Sequence, residues 1–272
     1  MPEILSYQAI RDMLPERPVA GHKGAFGHLF VLAGSRGFAG AVKLTCNAAM
    51  RSGVGLVTAG VPAPLADVLA AGLVEPMLLP LPATDACTLA YQALEPIYDF
   101  IANKSAMVIG PGLSQNPATT HLVRRLVSEC ALPLLVDADG LNALAEKRTR
   151  LADRRTSVPN VVFTPHPGEM ARLTGLTTSK VQEEREAVAV MYAALWQVVV
   201  VLKGAGTLIA APDGRVTQCP LGNSGMATGG SGDVLSGIIG ALLAQGINAF
   251  DAACIGVYVH GLAGDIAANN KT

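Results

Sequence analysis

Short, unbroken apolar runs alternate along this chain with longer segments whose apolar residues return at helical spacing. The runs at residues 29–33, 55–59, 106–109, 133–136, 161–164 and 198–202 are continuously hydrophobic rather than alternating, as expected of strands covered on both faces. They end repeatedly in Gly, Asp or Pro and give way to helix-like sequence. This rhythm predicts a mostly parallel central sheet with helices on both sides, a three-layer α/β/α architecture. Two further runs, 207–211 and 215–219, flank Pro212, Asp213 and Gly214, whose turn chemistry predicts a hairpin.

Helices are expected at 41–52, 118–130, 168–174, 181–196, 233–244 and 251–268. In 233–244, Val234, Leu235, Ile238, Ile239, Leu242 and Leu243 define one apolar stripe along which the segment should dock. Residues 1–20 predict only a short helix and an extended lead-in. Neither a long repeat nor a linker divides the pattern, so residues 1–272 read as a single domain.

Composition narrows the function classes. Hydrophobic residues make up 50% and charged residues 15%, enough apolar surface for a core and for a subunit interface. Twenty Lys and Arg balance 21 Asp and Glu without a long basic run, so nucleic acid is not the expected partner. Cys46, Cys87, Cys130, Cys219 and Cys254 are scattered and lack CxxC spacing, which argues against a zinc site or a disulfide framework and for free thiols in a reducing cytoplasm. Glu3, Arg11, Glu16 and Arg17 interrupt any signal-like apolar core near the start. The apolar stretch 233–244 falls short of membrane-spanning length, so no membrane association is expected.

The most informative stretch, residues 222–237, reads GNSGMATGGSGDVLSG. Glycines permit positive φ and close backbone approach, while a helix start adds unpaired N–H groups and a positive dipole end. Gly229, Gly230, Ser231 and Gly232 can therefore form an anion hole for a phosphoryl group. No Gly-Lys-Ser/Thr follows, as a Walker loop requires, and the spacing does not suit a Rossmann turn. An isolated Asp at the position of Asp233 would read as a helix cap. Beside these glycines it can instead accept a proton from an attacking hydroxyl, which makes it the candidate catalytic residue.

Residues 228–233 resemble the anion-hole and catalytic-Asp signature of ribokinase-like small-molecule kinases. Further segments narrow the resemblance: His22-Lys23-Gly24, Gly27, Leu32-Ala33-Gly34-Ser35, Gly40-Ala41, Ala49-Met50-Arg51-Ser52-Gly53, Gly110-Pro111-Gly112, Asp137-Ala138-Asp139-Gly140-Leu141-Asn142, Thr164-Pro165-His166-Pro167-Gly168-Glu169 and Lys203-Gly204-Ala205-Gly206-Thr207. In this order, over nearly the whole chain, they resemble the NAD(P)H-hydrate dehydratases.

The resemblance implies a ribokinase-like fold and a reaction on the S-epimer of hydrated NADH or NADPH. ADP, or ATP in other branches, phosphorylates the hydroxyl; phosphate then leaves and the dihydronicotinamide ring is restored, with AMP as the other product when ADP is used. It also implies magnesium, a homotetramer and a hydrate epimerase as a separate functional partner. Ala41, Gly112, His166 and Asp233 are assigned to the substrate by the same resemblance. Gly232 and Lys203, Gly204, Ala205, Gly206 and Thr207 are assigned to the nucleotide.

Plainer roles stand beside these. Residues 203–207 could be an ordinary strand-to-hairpin turn with a solvated lysine, although ligands bind at the carboxyl ends of strands in open α/β sheets. His166 could be a structural histidine. Glu169 suits either hydrated magnesium or stabilisation of a helix start. Asp137, Asp139 and Asn142 suit either an outer-sphere magnesium role or turn and capping roles. The segment from His22 to Gly24 belongs to the substrate side by resemblance and to a surface loop by composition. Two rival functions share the anion hole: a kinase of a small hydroxylated metabolite, and a non-catalytic nucleotide-binding protein.

Overall fold

The structure, a computed structural model, describes residues 2–145 and 160–271. The strands in chain order are β1 (Glu3–Ile4), β2 (His28–Leu32), β3 (Leu56–Pro62), β4 (Met77–Leu81), β5 (Ala106–Ile109), β6 (Leu134–Val136), β7 (Val161–Phe163), β8 (Val199–Leu202), β9 (Leu208–Ala210) and β10 (Val216–Gln218). They form one sheet in the order β1-β10-β9-β8-β7-β6-β5-β2-β3-β4. From β4 across to β8 every pairing is parallel, while β9 runs antiparallel to both β8 and β10. The hairpin expected around Asp213 and Gly214 is this β9-β10 pair.

The helices are α1 (Tyr7–Met13), α2 (Ala39–Arg51), α3 (Ala66–Ala70), α4 (Leu94–Ile101), α5 (Pro117–Glu129), α6 (Ala138–Ala145), α7 (Pro167–Thr174), α8 (Thr178–Glu183), α9 (Arg185–Trp196), α10 (Ser231–Ala244) and α11 (Ala249–Lys271). Alternation along each strand divides the core. Leu29 and Val31 pack on one face with Val42, Cys46, Ile239 and Ala253 of α2, α10 and α11. Phe30 and Leu32 pack on the other with Ile97, Leu122 and Leu126 of α4 and α5. The sheet is thus buried from both sides, which accounts for its continuous apolar runs.

Three expectations change. The helix predicted over 181–196 is two helices that break at Glu184, where φ is −121° and ψ 37°. Just after the break, Arg185 turns its guanidinium onto the Leu202 carbonyl at 3.0 Å, a long-range bond that no helical spacing reveals. The stripe expected on α10 is packed as expected but is not the limit of its burial: Ser236, Gly237, Gly240 and Ala241 are buried along with Leu235, Ile238, Ile239, Leu242 and Leu243. The helix is enclosed by α2, α11 and the sheet rather than docked along one side. Finally, β4, α3, α4 and α6 were not expected; Pro80 within β4 is tolerated because that strand lies at the sheet edge.

Gly237 sets the α2-α10 approach. A Cβ there would overlap the carbonyl oxygen of Thr45 and lie 2.9 Å from the Ala48 Cβ. Helix propensity alone would make Gly237→Ala stabilising by about 1 kcal/mol. The contact reverses the sign, and urea unfolding should show a net loss of about 1–3 kcal/mol. An unchanged or raised midpoint would show that the helices separate freely.

Strand order reverses at β2. The chain runs outward through β3 and β4, then returns to place β5 on the other side of β2. This is a topological switch point, and the crevice beyond the carboxyl ends of β2 and β5 is where such sheets bind ligands.

Candidate active site

The loops leaving β2 and β5 are tied together at the switch point. Gly34 N–H donates to the Pro111 carbonyl at 2.9 Å, and the Ser35 hydroxyl donates to the Gly112 carbonyl at 2.7 Å. Gly112 has φ +62°, and a Cβ on it would stand 2.8 Å from the Phe38 Cβ and 3.1 Å from the Ala41 Cβ. Ala41 and Gly112 are therefore in close apposition. One turn along α2, Leu44 comes within 2.5 Å of where a Cβ of Gly230 would sit, so the same helix links this corner to the glycine-rich loop.

That loop ends as α10 begins. Gly230 is the N-cap with φ +95°, a left-handed conformation that suits glycine, and it offers no side chain to cap the helix. The N–H groups of Gly232 and Asp233 find no acceptor among the described residues. They lie open at the positive end of the helix, an arrangement that accepts an anion. A Cβ on Gly232 would lie 3.4 Å from Lys203 Nζ and 3.7 Å from an Asp137 carboxylate oxygen, so the ends of β6 and β8 meet the helix start here.

Lys203 is not the solvated lysine of the plainer reading. Its ammonium lies 2.8 Å from Asp137 and 3.7 Å from Glu169. Burial works against its charge, but Asp137, Glu169 and Asp233 outweigh it and hold the ammonium above its ordinary pKa. Asp137 is 1% exposed and also accepts the Ser236 hydroxyl at 2.8 Å. Burial opposes its ionisation, yet Lys203 and the Ser236 and Thr164 hydroxyls keep the carboxyl below the usual range. The turn 203–207 follows, with Gly204 at φ +138° and Gly206 at φ +65°, closed by the Thr207 hydroxyl on the Gly204 carbonyl at 2.9 Å. The N–H groups of Gly204, Ala205 and Gly206 have no acceptor among the described residues, and Gly204 and Ala205 are exposed.

Asp233 is the third residue of α10 rather than its cap, and no hydrogen bond engages its carboxylate among the described residues. Burial, with the charges of Asp137 and Asp139 adding to it against Lys203, pushes its pKa to about 6. A carboxylate so poised is a competent base near neutral pH.

His166 caps α7. Its Nδ1 accepts from the Gly168 and Glu169 N–H groups at 3.0 and 3.3 Å, and the Glu169 carboxylate accepts the His166 N–H at 2.8 Å. Accepting at Nδ1 requires a neutral ring with its proton on Nε2; burial, then Lys203 and Arg172, lower its pKa accordingly. A half-exposed imidazole thus carries its proton on Nε2, which lies 3.5 Å from a Glu169 carboxylate oxygen. Glu169 takes the helix-start role, and burial raises its pKa against the pull of Lys203. Asp139 accepts the Ser114 N–H at 2.8 Å and an Asn142 amide proton, the turn role rather than a ligand role.

Among the described residues no group of three or more His, Cys, Asp or Glu side chains is placed to hold a metal ion. Of the carboxylates at hand, Asp137, Asp139 and Glu169 are engaged by Lys203, Ser236 and backbone; Asp233 is left by itself among them, which does not fit a protein cage for magnesium.

A model of the NAD(P)H-hydrate dehydratase family matches residues 29–272. This chain belongs to that family. An ADP-dependent (S)-NAD(P)H-hydrate dehydratase of Neisseria meningitidis is 41% identical, over 90% of this chain and 78% of its own length. A bifunctional NAD(P)H-hydrate repair enzyme of Moorella thermoacetica is 48% identical over 96% of this chain but 49% of its own; the chain spans about half the length of such relatives. Among solved structures, an ADP/ATP-dependent NAD(P)H-hydrate dehydratase from Bacillus subtilis, co-crystallised with ATP and Mg²⁺, superposes with a TM-score of 0.84 at 32% identity, covering 100% of this chain and 91% of that one. A ribokinase-like superfamily protein from Enterococcus faecalis gives 0.84 at 26% identity, covering 98% and 88%. The fold is ribokinase-like.

In this family member the tertiary structure brings Ala41 beside Gly112, and Lys203 beside Gly232. The segment from His22 to Gly27 goes elsewhere. Gly27 abuts the carbonyl of Ala244 at the far end of α10, a helix about 20 Å long, so this segment is remote from the dehydratase-family site within the chain. Ser236, Arg185 and His260 were missed. Ser236, three residues past Asp233 in an apolar helix, was the one legible signal, because an isolated hydroxyl there needs a buried partner.

Proposed function

We propose that the chain dehydrates the S-epimer of hydrated NADH or NADPH, using ADP as phosphoryl donor and releasing AMP and phosphate. The observation that carries this reading is Asp233: an unpartnered carboxylate with a pKa raised to about 6, beside open backbone donors at a helix start.

In this reading the nucleotide lies along residues 203–207, and its terminal phosphoryl rests on the N–H groups of Gly232 and Asp233. Ala41, Gly112 and the Nε2–H of His166 orient the hydrated nicotinamide. Asp233 takes the proton of the ring hydroxyl as its oxygen bonds to phosphorus and the bond from phosphorus to AMP breaks. Phosphate then departs with the C–O bonding pair while the neighbouring ring carbon gives up a proton to solvent, which restores the double bond. Hydroxide is a poor leaving group and phosphate a good one, so the site needs only to hold the phosphorylated intermediate through elimination.

Magnesium would enter this reading with the nucleotide rather than through protein ligands, and would supply neutralisation of phosphate charge. A homotetramer and a hydrate epimerase acting alongside complete the proposal. A cytoplasmic setting belongs to the same proposal; no helix among the described residues is long and apolar enough to cross a membrane.

Hydrated NADH with ADP and magnesium should recover dihydronicotinamide absorbance. The rate should fall about tenfold per pH unit below about 6, because Asp233 must be ionised to accept a proton. No recovery with either ADP or ATP would sink the assignment; a flat profile down to pH 5 would remove the raised carboxylate from the mechanism.

A further inference from the structure

α11 holds the glycine-rich loop at several points. The Asp265 carboxylate accepts the Gly222 N–H at 3.0 Å and an Asn223 amide proton at 2.9 Å. The Gly261 backbone allows Leu221 to approach within 3.0 Å of a Cβ position, and Gly264 leaves room for Met226. These contacts fix the register of His260, whose Nε2 stands 3.4 Å from the Ser231 hydroxyl at the first position of α10. His260 is half-buried, two residues past the buried run 252–258 of its helix, and is not otherwise used by the proposed chemistry.

We propose that His260 is a positioning residue for the anion hole: its Nε2–H donates to the Ser231 hydroxyl and so turns the Ser231 proton toward the bound phosphoryl group. A serine hydroxyl beside an anion can point its proton or its lone pairs at the ligand, and only the first stabilises it. A donor behind the oxygen decides between them. Burial, then the charge of Lys203, keep the imidazole below its ordinary pKa, so the ring is neutral and its single proton can reside on Nε2. The backbone N–H groups of Gly232 and Asp233 then gain a third, side-chain donor.

This inference rests on the phosphoryl-binding part of the proposed function, and ADP binding tests it apart from turnover. Calorimetry of ADP with magnesium is measured for the parent, His260→Ala, Ser231→Ala and the double variant. His260→Ala should weaken ADP by about tenfold, and the same change should do almost nothing in the Ser231→Ala background, as expected of two groups acting through one bond. His260→Gln, which retains an N–H donor, should bind within about twofold of the parent. Parental ADP binding by His260→Ala, or additive losses in the double variant, would overturn the inference while leaving the dehydratase reading intact. A parent that binds no ADP would overturn both. Coupling between the two residues without turnover of hydrated NADH would support this inference and count against the dehydratase reading alone. Thermal melts of the four proteins identify a variant that fails to fold, and the glutamine variant then supplies the comparison.

Discussion

Asp233→Asn should cost at least about a thousandfold in turnover, at the upper end of what a positioned base contributes, while ADP binds at least as tightly as to the parent. The amide is isosteric, and its neutrality removes a negative charge from beside the phosphates. The same variant should also melt higher near neutral pH. In the folded protein the Asp233 pKa stands at about 6 against an ordinary 3.8, so its protonated form is the favoured one. The stability this gives is fully present below the unfolded value and is lost as pH rises through about 6. Above that pH the parent carries a carboxylate the fold disfavours and the amide variant does not, so the difference in melting temperature should shrink on acidification. Turnover within about tenfold of the parent, with coincident melting curves, would remove Asp233 from the centre of the chemistry. Loss of activity with a gain of stability is the pattern of a group kept for function at the expense of the fold.

Lys203→Met should be the more damaging change to the fold, destabilising by about 3–5 kcal/mol in urea unfolding. It strands Asp137, 1% exposed, and Glu169, 5% exposed, without the ammonium that lies between them. Asp137 ionises more readily folded than unfolded, so its contribution is present above the ordinary carboxylate range and disappears as pH falls through its lowered value. The deficit of the methionine variant should accordingly narrow in acid. Adding Asp137→Asn to Lys203→Met should restore part of the loss, because a neutral amide keeps its bond with Ser236 and no longer needs a counter-charge. A parental urea midpoint for Lys203→Met would mean that the three groups are not coupled. ADP affinity should fall as well, since the ammonium lies 3.4 Å from the Cβ position of Gly232.

Much of this site was legible before any coordinates. The glycines before Asp233 advertise an anion hole because few other uses explain so many flexible positions ahead of an apolar helix. Residues 203–207 follow the most hydrophobic strand, and strand ends are where such folds bind. Asp137 was ambiguous because its partners, Lys203 and Ser236, are 66 and 99 positions away. His260 was invisible for the same reason, its contact with Ser231 spanning 29 positions and two helices.

What the sequence by itself determined was local: which runs must be buried, where the backbone needs glycine, and where turns break the chain. Those follow from solvation and from allowed φ and ψ, both written in neighbouring residues. Only the tertiary structure decided which charges share one desolvated pocket and how far each proton affinity moves. Electrostatic energy depends on distances through a low-dielectric interior, and the packing of α2, α10 and α11 against the sheet sets those distances.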